Sequence, residues 1–330
     1  MIQETQFILA DGVTPYRNQA VEEYLMRSAE PGKCALYLWQ NRRTVVIGRN
    51  QNSRAECRVE LLEKDGGYLA RRLYGGGAVF HDLGNLNFSF LAADPDYSVE
   101  RQQRVILAAV RALGLNAEIS GRNDIAVEGR KFSGNAFMAS GCRRCHHGTL
   151  LISADTSDMV KYLNVSPDKL RSKGVRSVRA RVVNLGELDN RVTVDVMTGA
   201  LYDAFAREYG VTPQSLRVAD LNGEKLEALT QKFQSHEWRL GKEPQAFFRR
   251  KARFSWGGAE LCLSVSAGQV TEARLFTDDL DPGLSEAAEA ALLKAPFSSD
   301  ALSRALKEAP CTEERKRKFL DISSLVMEAE

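Results

Sequence analysis

Arg71-Arg72-Leu73-Tyr74-Gly75-Gly76-Gly77-Ala78-Val79-Phe80-His81-Asp82 is the stretch on which the reading of this chain turns. Three consecutive glycines strip one bend of the backbone of Cβ atoms, so the chain can approach a ligand closely and turn its amides outward. Two arginines just upstream add fixed positive charge and planar donors suited to a carboxylate or a phosphate. The spacing is neither that of the G-x-x-x-x-G-K-[ST] phosphate loop nor that of the G-x-G-x-x-G dinucleotide fingerprint. A glycine-rich hairpin turn is the plain alternative. The flanking arginines and His81-Asp82 favour a loop that holds an anionic ligand.

Downstream lies Gly121-Arg122-Asn123-Asp124-Ile125-Ala126-Val127-Glu128-Gly129-Arg130-Lys131-Phe132-Ser133-Gly134-Asn135. Glu128-Gly129 reads as a two-residue hairpin turn with glycine at positive φ. Counting outward pairs Val127 with Arg130, Ala126 with Lys131, Ile125 with Phe132 and Asp124 with Ser133. The pleat then puts Ile125, Val127 and Phe132 on one face and Asp124, Ala126, Lys131 and Ser133 on the other. Lys131 and Asp124 become diagonal neighbours, suited to a lysine touching a substrate anion beside a carboxylate touching a metal. A solvated ion pair is the alternative.

Cys142-Arg143-Arg144-Cys145-His146-His147-Gly148 contains the C-x-x-C-H string of haem attachment, which requires export. Adjacent histidines on a strand point to opposite faces, so one segment does not readily supply four zinc ligands. The cysteines are read as a loop feeding a strand at Gly148–Ile152, with one histidine facing a site; alternation groups His147 with Thr149 and Leu151. Lys169, Arg171, Lys173, Arg176, Arg179 and Arg181 crowd the next basic stretch around Gly174. No aromatic residue is interleaved for base stacking, which favours a loop over a nucleotide, or a dock for an acidic partner, over nucleic-acid binding.

The rest of the chain supplies the frame. Its 330 residues, with 45 Lys+Arg against 43 Asp+Glu and 44% hydrophobic residues, suggest about two soluble globular domains. Disorder, collagen-like repeats and a basic nucleic-acid coat are excluded. No apolar run approaches the ~20 residues that cross a bilayer. Met1–Gly12 reads as no export leader, so the six cysteines are expected to be free thiols in a reducing cytoplasm. Helices are predicted after Thr14-Pro15, from a Ser53/Glu56 capping box, over Val99–Leu113, and over Thr193–Tyr209. Cys34–Trp39 and Thr44–Ile47 read as paired strands. Short, turn-linked strands favour an α+β domain with antiparallel or mixed pairing. After a polar stretch at Gln231–Arg250 come a hairpin pair (Arg253–Ser264, Gln269–Phe276) and three helices, forming a small α+β module. The expected division is residues 1–245 and 246–330.

Taken in order, Arg71-Arg72-x-x-Gly-Gly-Gly-Ala-Val-Phe-His-Asp, Gly84-Asn-Leu-Asn, Gly121-Arg-Asn-Asp-Ile, Arg130-Lys-Phe-Ser-Gly, His146-His-Gly-Thr-Leu-Leu and Lys173-Gly-Val-x-Ser-Val-Arg-Ala-Arg-Val closely resemble the lipoate–protein ligase A family. The resemblance runs through nearly the whole chain, from Asn18-x-Ala20-x-Glu22-Glu23 to the small C-terminal domain. It implies a mixed β-sheet catalytic domain of the biotin and lipoate ligase type. It implies activation of lipoate (or octanoate) by ATP with Mg2+ to an acyl-adenylate, then transfer to a lysine. The acceptors implied are lipoyl domains of 2-oxoacid dehydrogenase complexes and the glycine-cleavage H protein, with neither nucleic acid nor membrane as partner and a monomeric enzyme. Carried over by motif, Lys131 is the catalytic residue. Arg72, Gly75, Gly76, Gly77, Ala78, Val79, Phe80, His81, Asp124, His147, Lys173 and Arg181 bind substrate or nucleotide, and Asp124 is the candidate magnesium ligand. Tyr74 and Met138 depart from the family pattern where they would border the acyl tail. The rival reading is an ATP-independent octanoyltransferase with Cys142 or Cys145 as nucleophile.

Overall fold

The computed structural model describes residues 2–120, 124–164, 182–241 and 246–327. They form two compact units: Met1–Val46, Cys57–Arg71 and Val79–Arg239 make the first, and Ile47–Glu56, Arg72–Ala78 and Leu240–Glu330 the second. In chain order the first holds β1 (Glu4–Leu9), α1 (Pro15–Arg27), β2 (Lys33–Trp39), β3 (Thr44–Ile47, whose last residue belongs to the second), β4 (Tyr68–Arg71), β5 (Val79–His81), β6 (Asn85–Ala93), α2 (Val99–Ala112), β7 (Ala117–Ser120), β8 (Asp124–Val127), β9 (Arg130–Ser140), β10 (Arg143–Leu151), α3 (Val194–Tyr209), β11 (Gln214–Arg217) and α4 (Gly223–Gln234).

Eight of these strands form one mixed sheet in the order β11-β1-β2-β6-β10-β9-β8-β7. β1 runs parallel to β11 and β2, and every other pair is antiparallel. Period-two alternation gives each face its own core. Leu36, Leu38, Phe88, Phe90 and Leu150 pack on one side with Val105, Ile106, Val110, Leu201 and Phe205 of α2 and α3. Ala35, Tyr37, Trp39, Leu91 and Cys145 face the other way, toward Val21, Leu25 and Met26 of α1 and Leu226 of α4. The helices start and stop where local chemistry dictates. Pro15 opens α1, the Ser98 and Thr193 hydroxyls accept from Arg101 and Val196 amides, and Gly210 ends α3 at φ 67°.

Three local expectations are corrected. β2 and β3 are not a pair: β2 lies between β1 and β6, while β3 joins β4 and β5 in a separate three-stranded sheet. The long apolar β2 is buried on both faces, a place a short hairpin arm does not fill. At the short helix Ser53–Glu56 the cap comes from the Asn52 carboxamide, which accepts from the Arg54 and Ala55 amides. Only Cys142 lies in a turn ahead of the strand: β10 begins at Arg143, so Cys145 is a strand residue, and β10 pairs with β9 around Gly141 at φ 58°.

The second unit carries β12 (Phe248–Arg253), β13 (Gly258–Ser266) and β14 (Gln269–Thr277) as an antiparallel sheet, followed by α5 (Leu284–Leu292), α6 (Ser299–Glu308) and α7 (Glu313–Ser324). Leu261, Leu263, Leu275, Leu284, Leu302, Leu306, Phe319 and Ile322 form its core. The glycine triplet belongs to this unit. The Gly76 amide donates to the Asp279 carbonyl at 2.9 Å. A Cβ on Gly75 would lie 2.2 Å from that carbonyl oxygen, and Gly76 sits at φ +97°. Asp279 is itself held from below. Its carboxylate accepts from Lys318 Nζ at 2.8 Å and from the Asp281 amide at 2.8 Å, with Asp279 and Lys318 both buried. Burial works against the Lys318 charge, but the hydrogen bond to Asp279 outweighs it and raises the pKa of the ammonium. Removing one partner of a buried pair strands the other. Lys318→Met should therefore destabilise this unit by about 3–5 kcal/mol in denaturant unfolding, and Lys318→Met with Asp279→Leu should recover part of the loss. A single-variant loss under about 1 kcal/mol would show the pair to be dispensable.

Candidate active site

The site lies on the α1 side of the large sheet and follows from strand alternation. Thr149, His147 and Cys145 of β10 point one way, and their β9 partners Gly134, Ala136 and Met138 pair with them in register. Ser89 of β6 sits opposite His147, and Tyr37 of β2 opposite Ser89. Gly134 and Ala136 carry almost no side chain, so the floor between Lys131 and His147 is low. Each two-residue step along the strand covers roughly 7 Å.

At one end is Lys131. Its Nζ lies 2.7 Å from Asp124 Oδ1, with both side chains about two-fifths exposed. An ideal Cβ on Gly134 would meet that ammonium at 3.0 Å, so the bare backbone at this position leaves the ammonium its room. An ion pair this exposed is worth only about 0–1 kcal/mol, so an arriving anion can replace Asp124 cheaply. The expected sharing of a face holds, but the register differs. Ala126 pairs with Lys131, then a bulge sets Ile125 opposite Ser133 and Asp124 opposite Gly134. The extra residue lets both Phe132 and Ser133 be buried, which strict alternation forbids. The chain that re-enters at Val182 is tied to the same strand, the Val183 amide donating to the Lys131 carbonyl at 2.9 Å.

At the other end is a buried polar network that α1 supplies. Glu22 Oε1 lies 3.0 Å from His147 Nδ1 and accepts from the Ser89 hydroxyl, and Trp39 Nε1 donates to Ser89 at 3.3 Å. His81 on β5 is buried too, 3.3 Å from the Asn41 amide. Cys145 adds a thiol 3.9 Å from Glu22; burial first, then Glu22, push its pKa well above the ordinary range, so it is held protonated. Cys142 is exposed at the turn. Sequence reading gave Glu22 no role beyond its place in the Asn18-x-Ala20-x-Glu22-Glu23 motif. In the structure Asn18, Gln19, Glu22 and Glu23 are buried. A glutamate one turn beyond an asparagine on a core-facing helix was the signal available.

His146, on the opposite face, is a core residue. It lies among Phe88, Phe90 and Phe137, with Nε2 2.8 Å from Asn135 Oδ1 and Nδ1 3.1 Å from the Gln102 carboxamide.

The remaining predicted residues divide between the units. Val79 is partly exposed, and the Phe80 ring stacks on Tyr162 at 5.8 Å. Arg72 is buried in the second unit, where its guanidinium donates to the carbonyls of Gly75 at 2.7 Å and Gly77 at 2.9 Å. Arg71, in the first, donates to the carbonyls of Trp238 and Arg239. Both arginines, read as ligand donors, donate to main chain in this structure: Arg72 to the glycine loop's own carbonyls and Arg71 to those of Trp238 and Arg239, acceptors that need donors once withdrawn from water. Gly77 and Ala78 complete the loop, with open space beside Gly77. Lys173 and Arg181 lie outside the described residues. Among the described residues no three His, Cys, Asp or Glu converge as a metal cage. Asp124 alone suits a magnesium ion that arrives with phosphate oxygens filling most of its shell.

Residues 14–206 match the Lipoyl protein ligase A/B catalytic domain, and residues 243–322 match the Bacterial lipoate protein ligase C-terminus. The chain belongs to the lipoate–protein ligase family. P. falciparum LipL1, solved in complex with lipoate, is 26% identical with a TM-score of 0.85, over 98% of this chain and 99% of that one. An archaeal bi-partite lipoate protein ligase from Thermoplasma acidophilum, described with its E2 lipoyl domain, is 27% identical with a TM-score of 0.64, over 74% of this chain and 99% of that one. A lipoate-protein ligase A bound with ATP is 26% identical with a TM-score of 0.62, over 72% of this chain and 99% of that one. The mixed sheet with helices and a small C-terminal module is therefore the lipoate ligase arrangement. Among the described residues no helix is long and apolar enough to cross a membrane.

Behind this network, burial pushes the His146 pKa down to about 3. The unfolded chain, with an ordinary histidine pKa near 6.5, binds the extra proton between those values, so stability rises with pH through that window and is lost as pH falls below about 6.5. The slope should approach about 1.4 kcal/mol per pH unit near pH 5. Urea unfolding at pH 5.5 and 7 checks it, and His146→Gln should flatten the dependence.

Proposed function

We propose that the protein is an ATP-dependent lipoate–protein ligase, with residues 1–245 carrying catalysis and 246–330 an accessory module. One observation carries the reading. A half-exposed lysine, Lys131, stands on the face of the sheet that carries the buried Glu22, His147 and Ser89, with only Gly134 and Ala136 between them on β9. A carboxylic acid with a medium-length tail fits that arrangement, carboxylate at Lys131 and tail along Gly134 and Ala136.

The chemistry follows from charge. A carboxylate oxygen of lipoate attacks the α-phosphorus of ATP, the bond from that phosphorus to the bridging oxygen breaks, and pyrophosphate leaves. Two anions approach each other in this step, so the site must concentrate positive charge there. Lys131 is the movable cation: as substrate enters, its ammonium turns from Asp124 to the shared oxygens. Asp124, so released, would hold a magnesium ion, which when bound neutralises phosphate charge. By the family resemblance, the Lys173 and Arg181 stretch adds cations for the nucleotide. In the second step the neutral amine of an acceptor lysine attacks the acyl carbonyl, AMP leaves, and the amine releases one proton. Lys131 stabilises the negative charge that develops on the acyl oxygen. Lipoyl domains of 2-oxoacid dehydrogenase complexes and the glycine-cleavage H protein are the acceptors in this reading; the T. acidophilum ligase and its lipoyl domain support it.

Against a cysteine-dependent acyl transfer stands Cys145, a buried thiol held protonated beside a carboxylate, whereas a nucleophile must be a thiolate. The reading is tested by lipoate-dependent release of pyrophosphate from ATP without any acceptor. Lys131→Met should lower that turnover about 10²–10³-fold while leaving the thermal transition in place. Near wild-type release by the variant would remove Lys131 from the role, and release that ignores lipoate would overturn the ligase assignment.

A further inference from the structure

Asn18 of α1 and Asn41, at the turn after β2, are both fully buried, and their carboxamides form a hydrogen-bonded chain that runs in one sense. The Gln40 main-chain carbonyl begins it. A carbonyl oxygen only accepts, so the end of Asn18 that lies 2.8 Å from it is the N–H end. The same Nδ2 lies 3.1 Å from Asn41, whose facing atom must then be its oxygen. The Tyr37 hydroxyl donates to the other end of Asn18, its Oδ1, at 3.4 Å. Asn41 therefore turns its own N–H end toward His81 Nδ1, 3.3 Å away. A donor aimed at Nδ1 requires a lone pair there, so this imidazole carries its proton on Nε2.

His147 is set the other way. Its Nδ1 lies 3.0 Å from a Glu22 carboxylate oxygen, an acceptor, so Nδ1 of that ring carries a proton. The two rings flank Trp39, with centroids 6.4 Å from the indole for His81 and 5.4 Å for His147. Different ring nitrogens thus hold the fixed proton in the two histidines, and each choice comes from a partner distant in sequence. Resting on the ligase reading, in which His81 borders the substrate, we propose that Asn41 is a positioning residue for the reaction: held by Asn18, it fixes His81 in the Nε2–H form, so that the ring meets an oxygen of the bound acid or of its adenylate as a donor. Ionised carboxylate and phosphate oxygens only accept, so the other tautomer would set a lone pair against them.

Imidazole 15N spectra of the ligand-free protein read the tautomer directly at about pH 8, where ordinary histidines are neutral. The chain has four histidines, and His81→Gln assigns the signal. The wild-type His81 ring should carry its proton on Nε2. Asn41→Asp keeps an oxygen for Asn18 and presents a second acceptor to His81, so the proton should move to Nδ1. That variant should also lower kcat/KM for lipoate in pyrophosphate release about 10–30-fold, the scale of one hydrogen bond to a charged group. In a His81→Gln background the side-chain amide supplies an N–H with no tautomer to set, and there Asn41→Asp should cost less than about 3-fold. An asparagine with a merely structural role would cost the same in both backgrounds. That result, a wild-type ring protonated on Nδ1, or a moved proton with unchanged turnover overturns the inference. If Asn41→Asp does not fold, the wild-type spectrum and Asn41→Leu carry the test, since loss of the donor should leave a mixture of tautomers. An Nε2–H ring in a protein whose pyrophosphate release ignores lipoate would fail the ligase reading instead, and with it the use of this proton, while the tautomer would stand.

Discussion

Two neighbouring histidines on β10 express the constraint on which the site depends. A strand sends successive side chains to opposite faces, so His146 and His147 cannot share an environment. His146 enters an aromatic core and is held neutral there, while His147 meets a buried carboxylate and a serine hydroxyl. The sheet thus has an apolar face, packed by α2 and α3, and a face that mixes apolar packing with a buried polar network under α1. Because β9 runs antiparallel to β10 in fixed register, the same alternation places Gly134 and Ala136 beside Thr149 and His147. A one-residue slip would exchange the aromatic core and the polar network along both strands, which is why register is so strongly specified here.

Two lysine–aspartate pairs in this chain show how burial sets what an ion pair can do. Lys131 and Asp124 lie in contact but half in solvent, where their attraction is screened and exchange for another anion is cheap. Lys318 and Asp279 are withdrawn from solvent, and neither can leave the other without stranding a charge. The first pair suits a cation that must change partners during a reaction. The second suits a fixed support, and Asp279 uses its carbonyl to hold the Gly76 amide. Similar residues and similar distances serve opposite mechanical ends.

The glycine triplet divides its labour in the same way. Gly75 admits no Cβ because main chain at Asp279 and Leu280 presses against it, Gly76 adopts a backbone conformation that side chains disfavour, and Gly77 faces open space. Arg72 spans the bend and ties the carbonyls of Gly75 and Gly77 to one guanidinium. A loop built this way is held in one conformation by contacts within its own unit.

From the amino-acid order alone came the helices opening at Pro15, Val99 and Thr193, the hairpin around Glu128-Gly129, the shared face of Lys131 and Asp124, and the opposed histidines. Each depends on contacts a few residues apart, where capping, positive φ and pleating act without help from distant chain. The partner of β2, the bulge that buries Phe132 with Ser133, and the bracing use of Arg71 and Arg72 were decided elsewhere. So was the pairing of Glu22 with His147, groups 125 residues apart. A polar residue on a helix declares that it needs a partner but not which one. That choice belongs to the packed sheet, where strands brought together from distant sequence set which groups lose water together.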